Sequence, residues 1–202
     1  MFVETGPADA PVLLLAHGAG APMDSNFMNA IAEALAARGV RTLRFEFPYM
    51  AARRTDGRKR PPDRMPKLEA AYREAYAAAG PSPRFVGGKS MGGRVASLIA
   101  DDIAAAGLVC LGYPFHPPGK PEKLRTAHLE DLSTPALIVQ GTRDPFGGEN
   151  EVPKYPLAPD IRLHWAPDGD HDLKPRKASG RSHADNIAAA AGVTASFIRE
   201  RA

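Results

Sequence analysis

Arg84-Phe85-Val86-Gly87-Gly88-Lys89-Ser90-Met91-Gly92-Gly93-Arg94-Val95-Ala96-Ser97-Leu98-Ile99 is the stretch that decides the fold. Residues 84–87 read as a short strand, and residues 94–99 read as a helix with an apolar stripe. Between them, Gly88-Lys89-Ser90-Met91-Gly92 has the form G-x-S-x-G. At a strand-to-helix turn this pattern is a nucleophile elbow: the backbone turns too sharply for side chains at its flanks, and the serine is left exposed above the strand end.

Working outward, short apolar runs alternate with helical patterns along the whole chain. Val12-Leu13-Leu14-Leu15-Ala16 has strand length, and residues 40–47 form the next strand, stopped by Pro48. Asp24 or Ser25 can cap a helix whose stripe is Phe27, Met28, Ile31 and Leu35, ending before Gly39. Residues 67–79 have helix-forming composition. Strands follow at 107–112, 135–141 and 161–165, and a last helix at 183–199. Strands that are apolar throughout and separated by helices imply a parallel sheet covered on both faces. The expected fold is therefore a doubly wound, mostly parallel α/β sheet in three layers, α/β/α, forming a single domain over residues 1–202.

Composition narrows the class further. The chain has 202 residues, 44% of them hydrophobic, enough for a core that needs no disulfide. No apolar run is long enough to span a bilayer, and the first residues lack the pattern of a signal peptide. The single cysteine, Cys110, sits in the apolar run Leu108-Val109-Cys110-Leu111 and reads as a core residue. These features point to a cytoplasmic setting without a membrane partner. A net charge of +3 excludes a nucleic-acid partner held by bulk charge. The basic residues are clustered, however, in residues 51–67 and 174–181. These clusters read first as solvated, mobile loops; the alternative is a cationic rim that steers an anionic substrate.

In a parallel sheet, every loop that follows a strand opens at the carboxyl edge, where such sheets bind ligands. Four strand ends bring chemistry there. They are the loop His17-Gly18-Ala19-Gly20, Ser90, Asp144 within Thr142-Arg143-Asp144-Pro145, and His171 within Asp168-Gly169-Asp170-His171-Asp172. A serine hydroxyl attacks well only when a base takes its proton. An imidazole can take that proton and return it to a leaving group. A carboxylate behind the imidazole fixes its tautomer. Asp168, Asp170 and Asp172 compete with Asp144 for that last role, but they follow the same strand as the histidine. His17 reads as a structural hydrogen-bonding residue of its loop, and His116 as a residue in reach of substrate.

Two phosphate-binding patterns fail. Gly88-Lys89-Ser90 would need a glycine at Pro83, and Gly18-Ala19-Gly20 would need one at Met23. No His/Cys/Asp cluster has metal-ligand spacing, so neither a metal nor an organic cofactor is expected.

The motif order His17-Gly18-Ala19-Gly20, Gly87–Gly93, Gly112-Tyr113-Pro114 and Gln140–Gly147 resembles that of α/β-hydrolases, and within them the KANL3/Tex30-like branch. It is similar, more distantly, to dienelactone hydrolases. The resemblance implies Ser90 as nucleophile, Asp144 as acid and His171 as base, in the family's chain order. It also implies an oxyanion hole formed by the N–H groups of Met91 and Ala19, with Gly20 beside the substrate. Dienelactone hydrolases carry cysteine where this chain has Ser90. Residues 114–134, where many relatives insert a helical cap, are too short to hold one. The resulting expectation is a hydrolase of small ester or thioester substrates, with an acyltransferase or a non-catalytic interaction module as alternatives.

Overall fold

The computed structural model of the protein describes residues 2–80 and 84–202; Pro83 lies outside the described residues. The strands are β1 (Val3–Thr5), β2 (Val12–Ala16), β3 (Arg41–Phe45), β4 (Phe85–Lys89), β5 (Gly107–Leu111), β6 (Ala136–Gly141) and β7 (Ile161–Ala166). The helices are α1 (Asn26–Ala36), α2 (Pro48–Asp56), α3 (Met65–Ala78), α4 (Met91–Ile99) and α5 (His183–Arg199). The strands form one sheet in the order β1-β3-β2-β4-β5-β6-β7, parallel throughout except for β1, which runs antiparallel to β3.

Strand alternation sends side chains into two separate cores. Leu14, Phe45, Val86, Leu108, Cys110 and Ile138 face α2, α3 and α4, which supply Met50, Leu68, Tyr72, Val95 and Ile99. Leu13, Leu15, Val109, Leu111, Leu137 and Val139 face α1 and α5, which supply Met28, Ile31, Leu35, Ile187 and Phe197. The strands buried on both faces are thus continuous apolar runs, as a sheet between two helical layers requires. From β2 the chain crosses to β3 on one side, then returns over the sheet to β4 on the other. The crevice between the ends of β2 and β4 is therefore the point where the strand order reverses, the favoured ligand position in such sheets.

Two elements differ from the sequence reading. Pro48 does end the strand, but it also opens α2, because its fixed φ and missing N–H suit the first position of a helix. Part of the basic segment 51–67 is therefore helical. β1 carries only Val3-Glu4-Thr5, too short for a periodicity signal, and it pairs Val3 with Arg44 at the sheet edge.

His128, in a helical turn at Ala127–Leu129, shows how this packing couples stability to pH. Its Nε2 lies 2.8 Å from Ser97 Oγ, and burial together with the Arg94 charge pushes its pKa down to about 4. The unfolded chain, with a histidine near 6.5, binds the proton more readily. Stability is therefore complete above about pH 6.5 and is lost as pH falls toward 4. The same wild-type slope includes His17 and His164, which burial also shifts down. Replacing His128 with Gln should flatten the fall of the urea midpoint over this window, by up to about 3 kcal/mol of pH dependence. An unchanged slope in the variant would show that His128 titrates alike in both states.

Candidate active site

Ser90 caps α4 with φ 50° and ψ −114°, a conformation L-residues rarely adopt. It is held there by its own N–H, which donates to the Leu111 carbonyl at 2.9 Å, and by Arg94 N–H, which donates to the Ser90 carbonyl at 3.0 Å. The flanking glycines are required by space. A Cβ on Gly88 would sit 2.4 Å from the Gly92 carbonyl carbon, and one on Gly92 would sit 2.6 Å from the carbonyl oxygens of Ala16 and His17. Strand, helix and neighbouring strand thus touch backbone to backbone.

The structure brings three sequence-expected side chains into one chain of hydrogen bonds. Ser90 Oγ lies 2.8 Å from His171 Nε2, and His171 Nδ1 lies 2.8 Å from Asp144 Oδ2. With a carboxylate behind it, Nδ1 carries the ring proton of the neutral imidazole and Nε2 is left to accept from the serine. Asp144 is fully buried, whereas the His171 side chain is 21% exposed. The other acids are engaged elsewhere: Asp168 with Arg176 and Arg143, Asp170 with the N–H groups of Asp172 and Lys174, and Asp172 with Lys89.

Gln140, which sequence reasoning quoted only as part of a motif, holds the acid in place. Its Nε2 lies 3.0 Å from Asp144 Oδ2 and 3.0 Å from the Gly147 carbonyl oxygen, while its Oε1 accepts from Tyr113 N–H at 2.7 Å. The second acid oxygen accepts from Phe146 N–H at 2.9 Å. Phe146 also lays its ring 4.3 Å from that of His171. Gly112 makes room for the histidine loop: with φ 66°, its missing Cβ would meet the His171 carbonyl oxygen at 2.8 Å.

The 17–20 loop is anchored from behind. His17 Nε2 accepts from Phe47 N–H at 3.1 Å, and its Nδ1 lies 2.7 Å from the Gly18 carbonyl oxygen. Burial lowers its pKa, in keeping with a neutral ring that donates through one nitrogen and accepts through the other. The Tyr49 hydroxyl donates to the Ala19 carbonyl at 2.9 Å. Among the described residues, no protein group accepts from the N–H of Ala19 or Met91.

Ser90 stands between two cavities. One, of about 470 Å³, is lined by Gly18, Ala19, Gly20, Phe27, Met28, Lys89, Phe146 and His171. Lys89 is buried in its wall, with Nζ 3.2 Å from Asp172 Oδ1 and 5.3 Å from the centre of the Phe27 ring. Burial lowers its pKa and the Asp172 charge raises it. The second cavity, of about 270 Å³, is lined by Ala19, Met65, Leu68, Ser90, Met91, Arg94, Arg125 and Phe146, among others.

His116 is not brought to either cavity. It is buried, with Nδ1 2.9 Å from the Pro117 carbonyl oxygen and Nε2 3.3 Å from Glu151 Oε2. A histidine in a Pro-rich loop reads as exposed in sequence, but this loop folds inward around Tyr113 and Phe115. Among the described residues, four of the eleven cations in the two basic segments are paired with carboxylates. Arg54 bridges Glu46 and Asp24, each at 2.6 Å, Arg60 pairs with Asp56, Lys67 lies 2.8 Å from Asp63, and Arg176 pairs with Asp168.

This sheet, with a strained serine at its reversal point, is the architecture of an α/β-hydrolase. A profile of the alpha/beta hydrolase domain matches residues 9–199, and the chain belongs to that family. Solved structures share the fold at low identity. An esterase domain from Rhodothermus marinus is 17% identical with a TM-score of 0.71, covering 98% of this chain and 92% of that one. A dienelactone hydrolase from Anabaena variabilis is 20% identical with a TM-score of 0.73, covering 98% and 89%. A serine hydrolase without a lid from Xanthomonas campestris is 19% identical with a TM-score of 0.69, covering 97% and 88%.

Proposed function

We propose that this protein is a serine hydrolase that cleaves a small carboxylic ester or thioester through an acyl-enzyme. The observation that carries the reading is the pair of 2.8 Å contacts linking Ser90, His171 and Asp144. As Ser90 Oγ bonds to the substrate carbonyl carbon, its proton passes to His171 Nε2. The imidazolium so formed is stabilised by buried Asp144. The carbonyl oxygen, now carrying negative charge, accepts from the unoccupied N–H groups of Met91 and Ala19, the first of them at the N-terminal end of α4. When the tetrahedral centre collapses, His171 Nε2 returns the proton to the leaving oxygen or sulfur. Water then repeats the sequence on the acyl-enzyme, releasing the acid and restoring Ser90.

Among the described residues, residues 114–134 hold one helical turn, whose Leu129 is buried in the core. That supports direct access of small substrates without a cap. The motif order supports placement in the KANL3/Tex30-like branch, and the lone buried Cys110 supports a reducing, cytoplasmic setting.

A fluorophosphonate probe tests the nucleophile directly. The expected result is stoichiometric labelling of the native chain, lost in Ser90→Ala and strongly slowed in His171→Ala. A native chain left unlabelled, or a Ser90→Ala variant labelled as fast as wild type, would overturn the assignment.

A further inference from the structure

We propose that the smaller cavity beside Ser90 is an anion site for the acyl part of the substrate, built by Arg94 and Arg125. This rests on the hydrolase reading above and extends it to a substrate class: esters or thioesters whose acyl chain ends in an oxyanion, such as half-esters of short dicarboxylic acids.

Arg94 stands in the first turn of α4, after the Ser90 cap, and lines the smaller cavity together with the serine. Arg125 reaches the cavity from the 114–134 loop. Among the described residues, neither guanidinium has a salt bridge, and Arg94 Nε is buried without any hydrogen-bond partner. A buried guanidinium nitrogen left unpaired is unfavourable, and a planar fork suits a carboxylate or phosphate group. Burial and the neighbouring Arg94 charge both lower the Arg125 pKa, as expected for two cations sharing one poorly hydrated site. The acid in the lining, Asp63, is already held by Lys67 at 2.8 Å and by Tyr49 N–H at 3.1 Å. The larger cavity offers one cation, Lys89, and Asp172 already faces it. Of the two cavities beside the serine, the one with cations lacking a salt bridge is therefore the Arg94–Arg125 side.

The position of His171 decides which half of the substrate lies there. The imidazole must protonate the leaving group, so that group lies beside it. His171 lines the larger cavity but not the smaller one. The leaving group then occupies the side of Phe27 and Met28, and the acyl chain points toward the arginines. A cavity of about 270 Å³ has room for a short acyl chain.

A matched set of phenyl esters tests the proposal: glutaric acid monoester, 4-phosphonobutanoic acid monoester and neutral pentanoic acid ester. In wild type at low salt, at least one charged ester should exceed the neutral one in kcat/KM by about tenfold or more, and the better of the two assigns the anion as carboxylate or phosphonate. Arg94→Gln and Arg125→Gln should each reduce that ratio about tenfold, as expected for loss of one hydrogen bond to a charged group. Arg125→Lys should restore part of it. A ratio near one in wild type, or a ratio unchanged in both Gln variants, would overturn the anion site. Calorimetry on Ser90→Ala separates this outcome from failure of the hydrolase reading. Monomethyl glutarate should bind at least tenfold more tightly than dimethyl glutarate, and the difference should disappear when either arginine is Gln. Equal affinity of the two glutarates removes the site even if the fluorophosphonate labels Ser90. A clear difference upholds the site even if that label fails.

Discussion

Asp144→Asn should lower kcat on an aryl ester by a factor on the order of 10⁴. The change keeps shape and volume but removes one of two acceptor oxygens. Asp144 is fully buried and takes three hydrogen bonds: His171 Nδ1 and Gln140 Nε2 on Oδ2, and Phe146 N–H on Oδ1. If the Asn oxygen stays with Phe146, its amino group faces both Gln140 and His171. The imidazole then has to accept through Nδ1, which moves its proton to Nε2, where it faces Ser90 and cannot take a second proton. If the amide is reversed, His171 keeps its acceptor but the amino group meets the Phe146 N–H. Either orientation loses a buried bond, and the first also removes the base. Turnover should fall far more than aryl-ester binding, with near-native circular dichroism, and fluorophosphonate labelling should slow in parallel. A loss smaller than tenfold in a folded variant would mean that His171 acts without the carboxylate.

The parts of the site that sequence reveals are those tied to strand ends. A parallel sheet fixes where each βα loop opens, so Ser90, Asp144 and His171 can be placed together from topology and chain order. Their separation in sequence does not hide them. Residues whose role depends on inward packing are not visible in that way. Gln140 reads as one polar position in an apolar strand, and only the fold shows that its amide reaches Asp144, Gly147 and Tyr113. His116 reads as a loop residue near substrate because a Pro-rich stretch suggests solvent, yet Tyr113 and Phe115 draw it inward. Charge misleads for a related reason. The clusters at 51–67 and 174–181 stand out by count, yet four of their eleven cations are held in salt bridges with Glu46, Asp24, Asp56, Asp63 and Asp168, and none of the eleven lines either cavity beside Ser90. Arg94 and Arg125 stand apart in sequence and attract no notice there. Their significance lies in meeting beside Ser90 without a carboxylate partner.

Gly92→Ala tests the close contact on which the whole site depends. Intrinsic helix propensity alone would make the change stabilising by up to about 1 kcal/mol, since alanine is the better helix former. The packing predicts the opposite sign. A Cβ at position 92 would lie 2.6 Å from both the Ala16 and His17 carbonyl oxygens, with no flexible side chain to yield. Relief requires α4 to move away from β2, and Ser90 caps that helix. Displacement would also strain the Gly88 contact and the Leu111 carbonyl bond that hold the serine. The expected loss exceeds about 4 kcal/mol, a large part of the roughly 5–15 kcal/mol that stabilises an ordinary domain. It should appear as insolubility or as a large drop in urea midpoint. Gly20→Ala is the matched comparison, because it lies in the same crevice but its Cβ would have nothing within 4 Å. That variant should stay within about 0.5 kcal/mol of wild type. If Gly92→Ala is as stable as Gly20→Ala, α4 does not approach β2 this closely, and the geometry that presents Ser90 must be held by something other than backbone contact.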